Sequence, residues 1–167
     1  MIKKRIQLTL FVDEHDSHNI EKIRKEFNPK QYSLIQSHVT LCREDELAQI
    51  DTVLQTLVGL NHPKITIDFG PAARFLNGTG VLIPSVGDNR QFHELRRSIL
   101  QGATEALRKH EPHITLMHPR NSYCSDEIFE HIVSMEIPCK LTFNKICLIE
   151  QEDETAWKVV KEFALRS

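Results

Sequence analysis

Two tetrapeptides of the same form, His38-Val39-Thr40-Leu41 and His113-Ile114-Thr115-Leu116, constrain this chain more than any other feature. β-Branched and aliphatic residues predominate in both, which predicts two short β-strands. Because side chains alternate between the faces of a strand, each His shares one face with its Thr. Each strand is therefore expected to present an imidazole and a hydroxyl on a polar face and to bury the opposite, apolar face.

The two tetrapeptides lie 75 residues apart (113 − 38 = 75), and two prolines share this separation. Pro63 follows His38, and Pro138 follows His113, by the same 25 residues (63 − 38 = 138 − 113 = 25). Each proline precedes an alternating apolar run, and the start of a strand is one of the few strand positions that proline tolerates. The common offset predicts an internal repeat in which the two tetrapeptides face each other across one cleft.

Hydrophobic periodicity predicts further elements around the two tetrapeptides. Strands are predicted at 3–12, 34–42, 64–69, 80–84, 113–116, 139–150 and 154–165, and helices at 16–27, from 44 to the residues before Gly59, 88–109 and 126–135. A long hairpin connection with Asn77-Gly78 near its end is expected to join the strands 64–69 and 80–84, and the last two strands are expected to form a closing hairpin. Each tetrapeptide strand is preceded by a helix and followed by helix, strand and strand, which predicts mostly antiparallel sheets covered by helices.

Length and composition indicate an ordinary globular protein. A chain of 167 residues suits one domain, here 1–167, in which an HVTL half and an HITL half form two lobes with a shared interface. No apolar run approaches the roughly 20 residues that cross a bilayer, and no signal-peptide core is visible, so we expect a cytoplasmic protein without membrane contact. The default oligomeric state is the monomer. Four cysteines without CxxC spacing favour reduced thiols.

The formal net charge is −2 with His taken as neutral. Proteins that grip long nucleic acids without sequence preference are usually strongly basic. A nucleotide or an RNA end is therefore a more plausible partner than an extended duplex.

The two tetrapeptides resemble the signature of the 2H phosphoesterase superfamily, which includes bacterial 2′-5′ RNA ligases, cyclic nucleotide phosphodiesterases and related RNA-processing enzymes. The family pattern is two His-x-Thr/Ser-x motifs, apolar at x, in the two halves of a pseudo-symmetric protein. Both His38-Val39-Thr40-Leu41 and His113-Ile114-Thr115-Leu116 match it. The resemblance implies an α+β, bilobal fold with a pseudo-two-fold axis. Each lobe would be a mostly antiparallel sheet flanked by helices, with a metal-free cleft between the lobes.

The candidate catalytic residues are His38, Thr40, His113 and Thr115. Imidazoles suit proton transfer near neutral pH, and threonine hydroxyls suit the non-bridging oxygens of a phosphate. These residues fit a phosphoesterase that acts on 2′,3′-cyclic phosphates or 2′-5′ phosphodiester bonds of RNA ends or nucleotides. The sequence leaves open which His is the base, and whether the reaction runs as hydrolysis or ligation. The alternatives are a catalytically inactive nucleotide- or RNA-binding module of the same fold, and a scaffold protein.

Weaker candidates for substrate binding follow each motif. Arg43 and His118 share one offset (43 − 38 = 118 − 113 = 5), and Arg120 lies just beyond. A guanidinium at a strand end can clamp a phosphate, although strand parity points this position away from the cleft and a surface ion pair explains Arg43 equally well. Phe11 and Tyr123 are candidates for stacking on a base, as is Phe75.

No metal or other cofactor is expected. Zinc or two-metal sites need acidic or thiolate ligands beside histidine, and strand parity places only Cys42 with His38 and Thr40, so a His/Cys site is a less favoured alternative. The remaining histidines lie at predicted helix ends or polar helix faces and are expected to be mostly solvated: His15, His18, His62, His93, His110 and His131.

Overall fold

The computed structural model describes residues 1–76, 78–104 and 107–167. The described residues form strands β1 Lys4–Phe11, β2 His38–Cys42, β3 Ile65–Asp68, β4 Ala73–Arg74, β5 Val81–Pro84, β6 His113–Met117, β7 Lys140–Phe143, β8 Lys145–Glu152 and β9 Lys158–Ala164. They also form helices α1 His18–Phe27, α2 Pro29–Leu34, α3 Ile50–Val58, α4 Arg90–Leu100 and α5 Asp126–Ser134. Among these helices none is long and apolar enough to span a lipid bilayer.

Seven strands form one sheet in the order β4-β5-β6-β2-β1-β8-β9, and β3 and β7 form a second sheet. Every pairing between these strands is antiparallel. The prediction of helices combined with mostly antiparallel sheets is therefore confirmed. The predicted hairpin at the end of the chain is confirmed for β8 and β9. The single strand predicted at 139–150 was wrong, because its first part is the separate strand β7, which pairs with β3 in the small sheet.

The large sheet has one apolar face and one polar face because its strands alternate. Leu8 and Leu10 of β1 are fully buried in the main core, whereas Gln7 and Thr9 contact each other through their side chains on the opposite face. Helix α1 packs on β6, and helix α4 packs on β2 and β3. The helices thus cover the apolar face, which leaves the polar face for a functional site.

The repeat predicted from the prolines is visible in the small sheet. Strand β3 follows Pro63 and strand β7 follows Pro138, and the two strands pair with each other in register. Thr66 of β3 is opposite Thr142 of β7, and their hydroxyl oxygens are 2.9 Å apart. The equivalent segments of the two repeats therefore meet at a local pseudo-two-fold axis.

The hairpin predicted between 64–69 and 80–84 is wrong for the two strands, although the chain just beyond them forms one antiparallel bridge, between Phe69 and Ser85. Strand β3 pairs with β7 in the small sheet, whereas β5 pairs with β4 and β6 in the large sheet. The connection between them contains β4, which provides the antiparallel neighbour of β5. Asn77, the first residue of the predicted turn, lies outside the described residues.

Several predicted boundaries were also wrong. Pro29, which ends α1, begins the short helix α2 instead of a strand, and this delays β2 until His38. The acidic residues Glu44–Glu46 form an isolated 3₁₀ turn before α3. The predicted helix 88–109 ends at Leu100, and Gly102 then adopts a left-handed conformation with φ of 79°. Ala106 of that predicted helix lies outside the described residues.

The strands of the two sequence halves are exchanged between the two sides of the large sheet. β8 and β9 follow the second motif but extend the sheet on the side of β1 and β2. Leu148 of β8 lies opposite Leu8 of β1, and both side chains are buried. β5 precedes the second motif and pairs directly with it. The predicted division into an HVTL lobe and an HITL lobe therefore does not describe the strands, and the single domain 1–167 stays a prediction.

Candidate active site

Strands β2 and β6 meet at one register pair, in which Val39 of the first motif lies opposite Ile114 of the second. Both side chains are buried in the core, so their chain neighbours point to the polar face of the sheet. Because the strands are antiparallel, the histidine of each motif is level with the threonine of the other. The two histidines therefore occupy diagonal positions, a separation of roughly 7–8 Å in an antiparallel pair.

The four motif side chains line one cavity of about 560 Å³. His38, Thr40, His113 and Thr115 are each half-buried at its wall. Residues that are remote in sequence are thus brought to one concave surface. The structure assembles the complete set of candidate catalytic residues that the sequence indicates.

The two imidazoles are oriented in the same way. Nδ1 of His38 is 2.8 Å from the carbonyl oxygen of Gln36, and Nδ1 of His113 is 3.2 Å from the carbonyl oxygen of Glu111. Because a carbonyl oxygen only accepts, each Nδ1 carries a proton and donates it. The neutral rings therefore hold their lone pair on Nε2, which is the nitrogen left for proton transfer.

Both imidazoles are easier to keep neutral than a histidine in water. The pKa of His38 is lowered to about 4, chiefly by burial; the hydrogen bond to Gln36 opposes this shift and the nearby Arg24 guanidinium adds to it. Burial also lowers the pKa of His113, with a contribution from the charge of Arg43. Both rings are thus uncharged at pH 7 in the free protein. A bound anion would raise both pKa values by favouring the protonated forms.

Thr40 has a side-chain partner that orients its hydroxyl. The amide Nε2 of Gln7 donates to Oγ1 of Thr40 at 3.2 Å and to Oγ1 of Thr9 at 2.8 Å. Since Gln7 donates, the Thr40 oxygen accepts, and its own O–H proton remains available for a ligand. In the second repeat, the pairing of β5 with β6 places Gly80 where Gln7 lies in the first repeat. A Cβ at position 80 would lie 2.5 Å from the Met117 carbonyl oxygen, so a side chain there would clash with the backbone.

Each motif histidine packs against a phenylalanine. The rings of Phe11 and His38 meet edge-on with centroids 6.1 Å apart, and those of Phe75 and His113 meet in the same way at 6.1 Å. Phe11 lines a different cavity, of about 380 Å³. Its visible role is to hold the His38 ring, not to form a wall of the motif cavity.

Arg43, His118 and Arg120 all line the motif cavity. Strand alternation would point Arg43 away from the cavity, but it does not apply to this residue because β2 ends at Cys42. The backbone N–H of Arg120 donates to Nδ1 of His118 at 3.1 Å. By contrast, Tyr123 is 77% exposed and does not belong to the described lining of this cavity.

The sequence interpretation missed His110. This residue is buried and not solvated: its Nε2 donates to the carbonyl oxygen of Thr40 at 2.8 Å, and its ring centroid lies 6.1 Å from that of His113. His110 therefore links the two motifs. Its position three residues before a motif histidine was the only available signal.

The prediction that Cys42 shares a face with His38 was wrong. The pairing register of β2 skips Leu41, and that of β6 skips Leu116, so both strands bulge at the same motif position. The bulge turns Cys42 into the core, where burial raises the pKa of its thiol to about 12. Among the residues described by the structure, no group of three or more His, Cys, Asp or Glu side chains is arranged to hold a metal.

The cavity is positively charged although the chain is slightly acidic. Its wall includes six Lys or Arg residues and two acidic residues: Lys3, Arg5, Arg24, Lys30, Arg43, Arg120, Asp153 and Glu154. Cations that line a cleft concentrate anions within it. Two of these cations, Arg24 and Arg5, already pair with Glu21 and Glu44. The remaining excess of cations favours an anionic ligand in the cavity.

A model of the 2′-5′ RNA ligase superfamily matches residues 11–155. Among solved structures, E. coli LigT in complex with 3′-AMP has a TM-score of 0.67 at 15% identity, covering 98% of this chain and 99% of that one. LigT in complex with NADP+ has a TM-score of 0.65 at 14% identity, with 98% of both chains covered.

Two further structures share the fold. A phosphoesterase has a TM-score of 0.66 at 13% identity, covering 99% of this chain and 100% of that one. TT0787 of Thermus thermophilus has a TM-score of 0.60 at 14% identity, covering 98% of both chains. No curated protein matches the chain in sequence.

Proposed function

Because the chain belongs to the 2′-5′ RNA ligase superfamily, we propose that it is a phosphoesterase of the 2H type. The family assignment agrees with the resemblance carried by the two HxT motifs. The proposed substrates are 2′,3′-cyclic phosphates or 2′-5′ phosphodiester bonds of RNA ends or nucleotides. The observation that carries the proposal is the convergence of both motifs on one cationic cavity through the Val39–Ile114 pair.

The two imidazoles divide the proton transfers between them. In hydrolysis of a cyclic phosphate, Nε2 of the neutral ring takes a proton from water as the water oxygen bonds to phosphorus. Nε2 of the protonated ring gives its proton to the ribose oxygen as the P–O bond breaks. In the joining direction a 5′-hydroxyl takes the place of water and each ring keeps its role. The two rings exchange roles only in the reverse reaction, the cleavage of a 2′-5′ bond to a cyclic phosphate.

The threonine hydroxyls stabilise the negative charge that develops on the non-bridging oxygens of the phosphate. Thr40 and Thr115 stand level with the opposite histidines, so a phosphate between the rings has a hydroxyl donor on each side. Fixed donors of this kind favour the transition state over the ground state when they point at the developing charge. The hydrogen bond from Gln7 to Thr40 supports such an orientation for one of the two donors.

Two further observations support a nucleotide substrate. Related structures were solved with nucleotides: LigT was crystallised with 3′-AMP, with ATP and with NADP+. The cavity of this chain has an excess of cations at its wall. The mechanism calls on no metal or other cofactor, and we place the activity in a single, monomeric, cytoplasmic domain.

The test is turnover of 2′,3′-cyclic nucleotides in excess chelator, followed by product analysis for 2′- or 3′-phosphate. We expect turnover to persist in chelator and to be lost in His38→Ala and His113→Ala. His15→Ala, which changes an exposed histidine, is the matched control. Binding without turnover would instead favour the inactive binding module, and neither binding nor turnover would favour a scaffold. Assays with 2′-5′ linked oligonucleotides then separate hydrolysis from ligation.

A further inference from the structure

The motif cavity extends to a second group of side chains that the proposed chemistry does not use. Lys3, Arg5 and Trp157 line this end of the same cavity. The carboxylates of Asp153 and Glu154 lie at the same end and offset the charge of the two cations, so the feature that favours a nucleic acid base here is the guanidinium and the aromatic ring as a stacking surface. We call this end of the cavity, lined by Lys3, Arg5 and Trp157, the distal subsite.

The distal subsite lies farther along β1 than the phosphate site. Gln7 contacts Thr40 of the first motif, and Arg5 and Lys3 follow on the same face of the chain at two-residue intervals. Each interval advances about 7 Å along a strand. Arg5 and Lys3 are therefore placed to meet parts of a ligand that lie beyond the reacting phosphate.

Arg5 and Trp157 form an ordered platform. The guanidinium carbon of Arg5 lies 5.4 Å from the centre of the Trp157 ring, and its nitrogens donate to Gln151 and Glu44 at 3.3 Å. These contacts hold the guanidinium group over the Trp157 ring.

The Trp157 side is also anchored. Its backbone N–H donates to the carbonyl oxygen of Leu34 at 2.8 Å, and its ring packs against the buried side chains of Ile35 and Ile149. A platform that is already ordered loses little conformational entropy when a base stacks on it.

We propose that the distal subsite binds the nucleotide that precedes the reacting one, so that the preferred substrate is an oligonucleotide end and not a mononucleotide. The base of this second nucleotide stacks on the Arg5–Trp157 platform, as bases do on guanidinium and aromatic planes. The inference rests on the proposed function for the polarity of the bound chain.

The fluorescence of Trp157 provides a direct test, because Trp157 is the only tryptophan of the chain. The probes are the dinucleotide ApAp with a 3′-phosphate, 3′-AMP and inorganic phosphate. We expect ApAp to quench the fluorescence and to bind about tenfold more tightly than 3′-AMP. 3′-AMP and phosphate should leave the emission nearly unchanged. Equal quenching by 3′-AMP, or no quenching by bound ApAp, would overturn the proposal.

Arg5→Ala should weaken ApAp binding about tenfold and should weaken 3′-AMP binding much less, because 3′-AMP loses only a distant charge and no stacking contact. Lys161→Ala is the matched control: Lys161 also lies over an aromatic ring, that of Phe163 at 5.3 Å, but outside the described lining of the cavity. An equal effect of Arg5→Ala on both ligands, or no effect on either, would contradict the distal subsite.

The binding test separates this inference from the proposed function. ApAp and 3′-AMP resemble products, so their binding is measured without turnover. A protein that binds ApAp at Trp157 but hydrolyses no cyclic phosphate would retain the distal subsite and refute the phosphoesterase. A protein that turns over cyclic mononucleotides and dinucleotides equally, without quenching by ApAp, would retain the phosphoesterase and refute the distal subsite.

Discussion

His110 and Thr40 are joined by a hydrogen bond of 2.8 Å from the imidazole Nε2 to the carbonyl oxygen. His110 precedes the second motif, whereas Thr40 belongs to the first, so this bond crosses the junction of β2 and β6. That junction otherwise contains a single register pair, Val39 with Ile114, among the described strands. The bond therefore helps to fix the relative position of the two motifs.

His110→Leu should lower both stability and activity. The substitution introduces an apolar side chain of similar size. It leaves the Thr40 carbonyl without this donor, which costs about 1–3 kcal/mol of the free energy of unfolding. Urea denaturation measures the loss, and kcat should fall because the motif strands are less firmly held. The control His15→Asn should change neither quantity. Wild-type stability and kcat in His110→Leu would refute the linking role.

Stability should fall on acidification between pH 6.5 and pH 4. Burial lowers the pKa of His110 and of His38 to about 4, so the unfolded chain binds more protons than the folded one in this window. The free energy of unfolding then rises with pH and is highest above pH 6.5. From pH 7 to pH 5, His110 alone should account for a loss of about 2 kcal/mol.

Urea unfolding of the wild type and of His110→Leu at both pH values measures this contribution. The variant should lose correspondingly less stability on acidification, because its residue 110 cannot bind a proton. The same pH dependence in both proteins would contradict a lowered pKa at His110.

Thr40→Val should reduce kcat by about 100-fold with little change in stability, the typical cost of removing one donor to a developing anion. Valine has the same shape but no hydroxyl. Gln7→Ala should give a smaller loss of kcat, since it leaves the Thr40 hydroxyl in place and removes only the amide that orients it. Thr66→Val, which removes an exposed hydroxyl of the small sheet, is the control. A wild-type kcat in Thr40→Val would refute this role of the hydroxyl.

Arg96 should be among the most sensitive positions for stability. Its guanidinium is buried, pairs with Glu46 at 2.6 Å and donates to the carbonyl oxygen of Leu41 at the end of the first motif. Arg96→Ala leaves the Glu46 carboxylate buried without its cation, which costs about 3–5 kcal/mol. Arg90→Ala removes an exposed ion pair of the same helix and should cost under about 1 kcal/mol. Equal denaturation midpoints for the two variants would contradict this difference.

The sequence predicted the parts of the fold that have local signals. Alternating residues identified the motif strands, and the offset shared by Pro63 and Pro138 identified the repeat that pairs as β3 and β7. Strand partners had no comparable signal. Nothing in the sequence near β5 shows that it pairs with β6 instead of β3, because pairing is decided by the packing of remote segments.

The candidate site was predictable as far as local alternation along the motif strands determines it. The faces of His38 and Thr40 follow from strand alternation, which holds until the bulge at Leu41 reverses it for Cys42. A bulge inserts one residue without a sequence signature. His110 lies in an irregular segment, so no periodicity indicated that its side chain turns inward to Thr40.

The pH dependence of kcat/KM tests the central account, in which two imidazoles act as acid and base on one phosphate, most directly. The profile should be bell-shaped: the base is lost by protonation at low pH, and the acid is lost by deprotonation at high pH. Because the pKa values of His38 and His113 are lowered in the free protein, the maximum should lie below pH 6.5.

The residual activities of His38→Ala and His113→Ala complete this measurement. Each variant should lose about 100- to 10,000-fold in kcat/KM and should lack one limb of the profile, a different limb in each case. A wild-type profile with a single limb, or a variant that retains both limbs, would contradict paired acid–base catalysis by these two histidines.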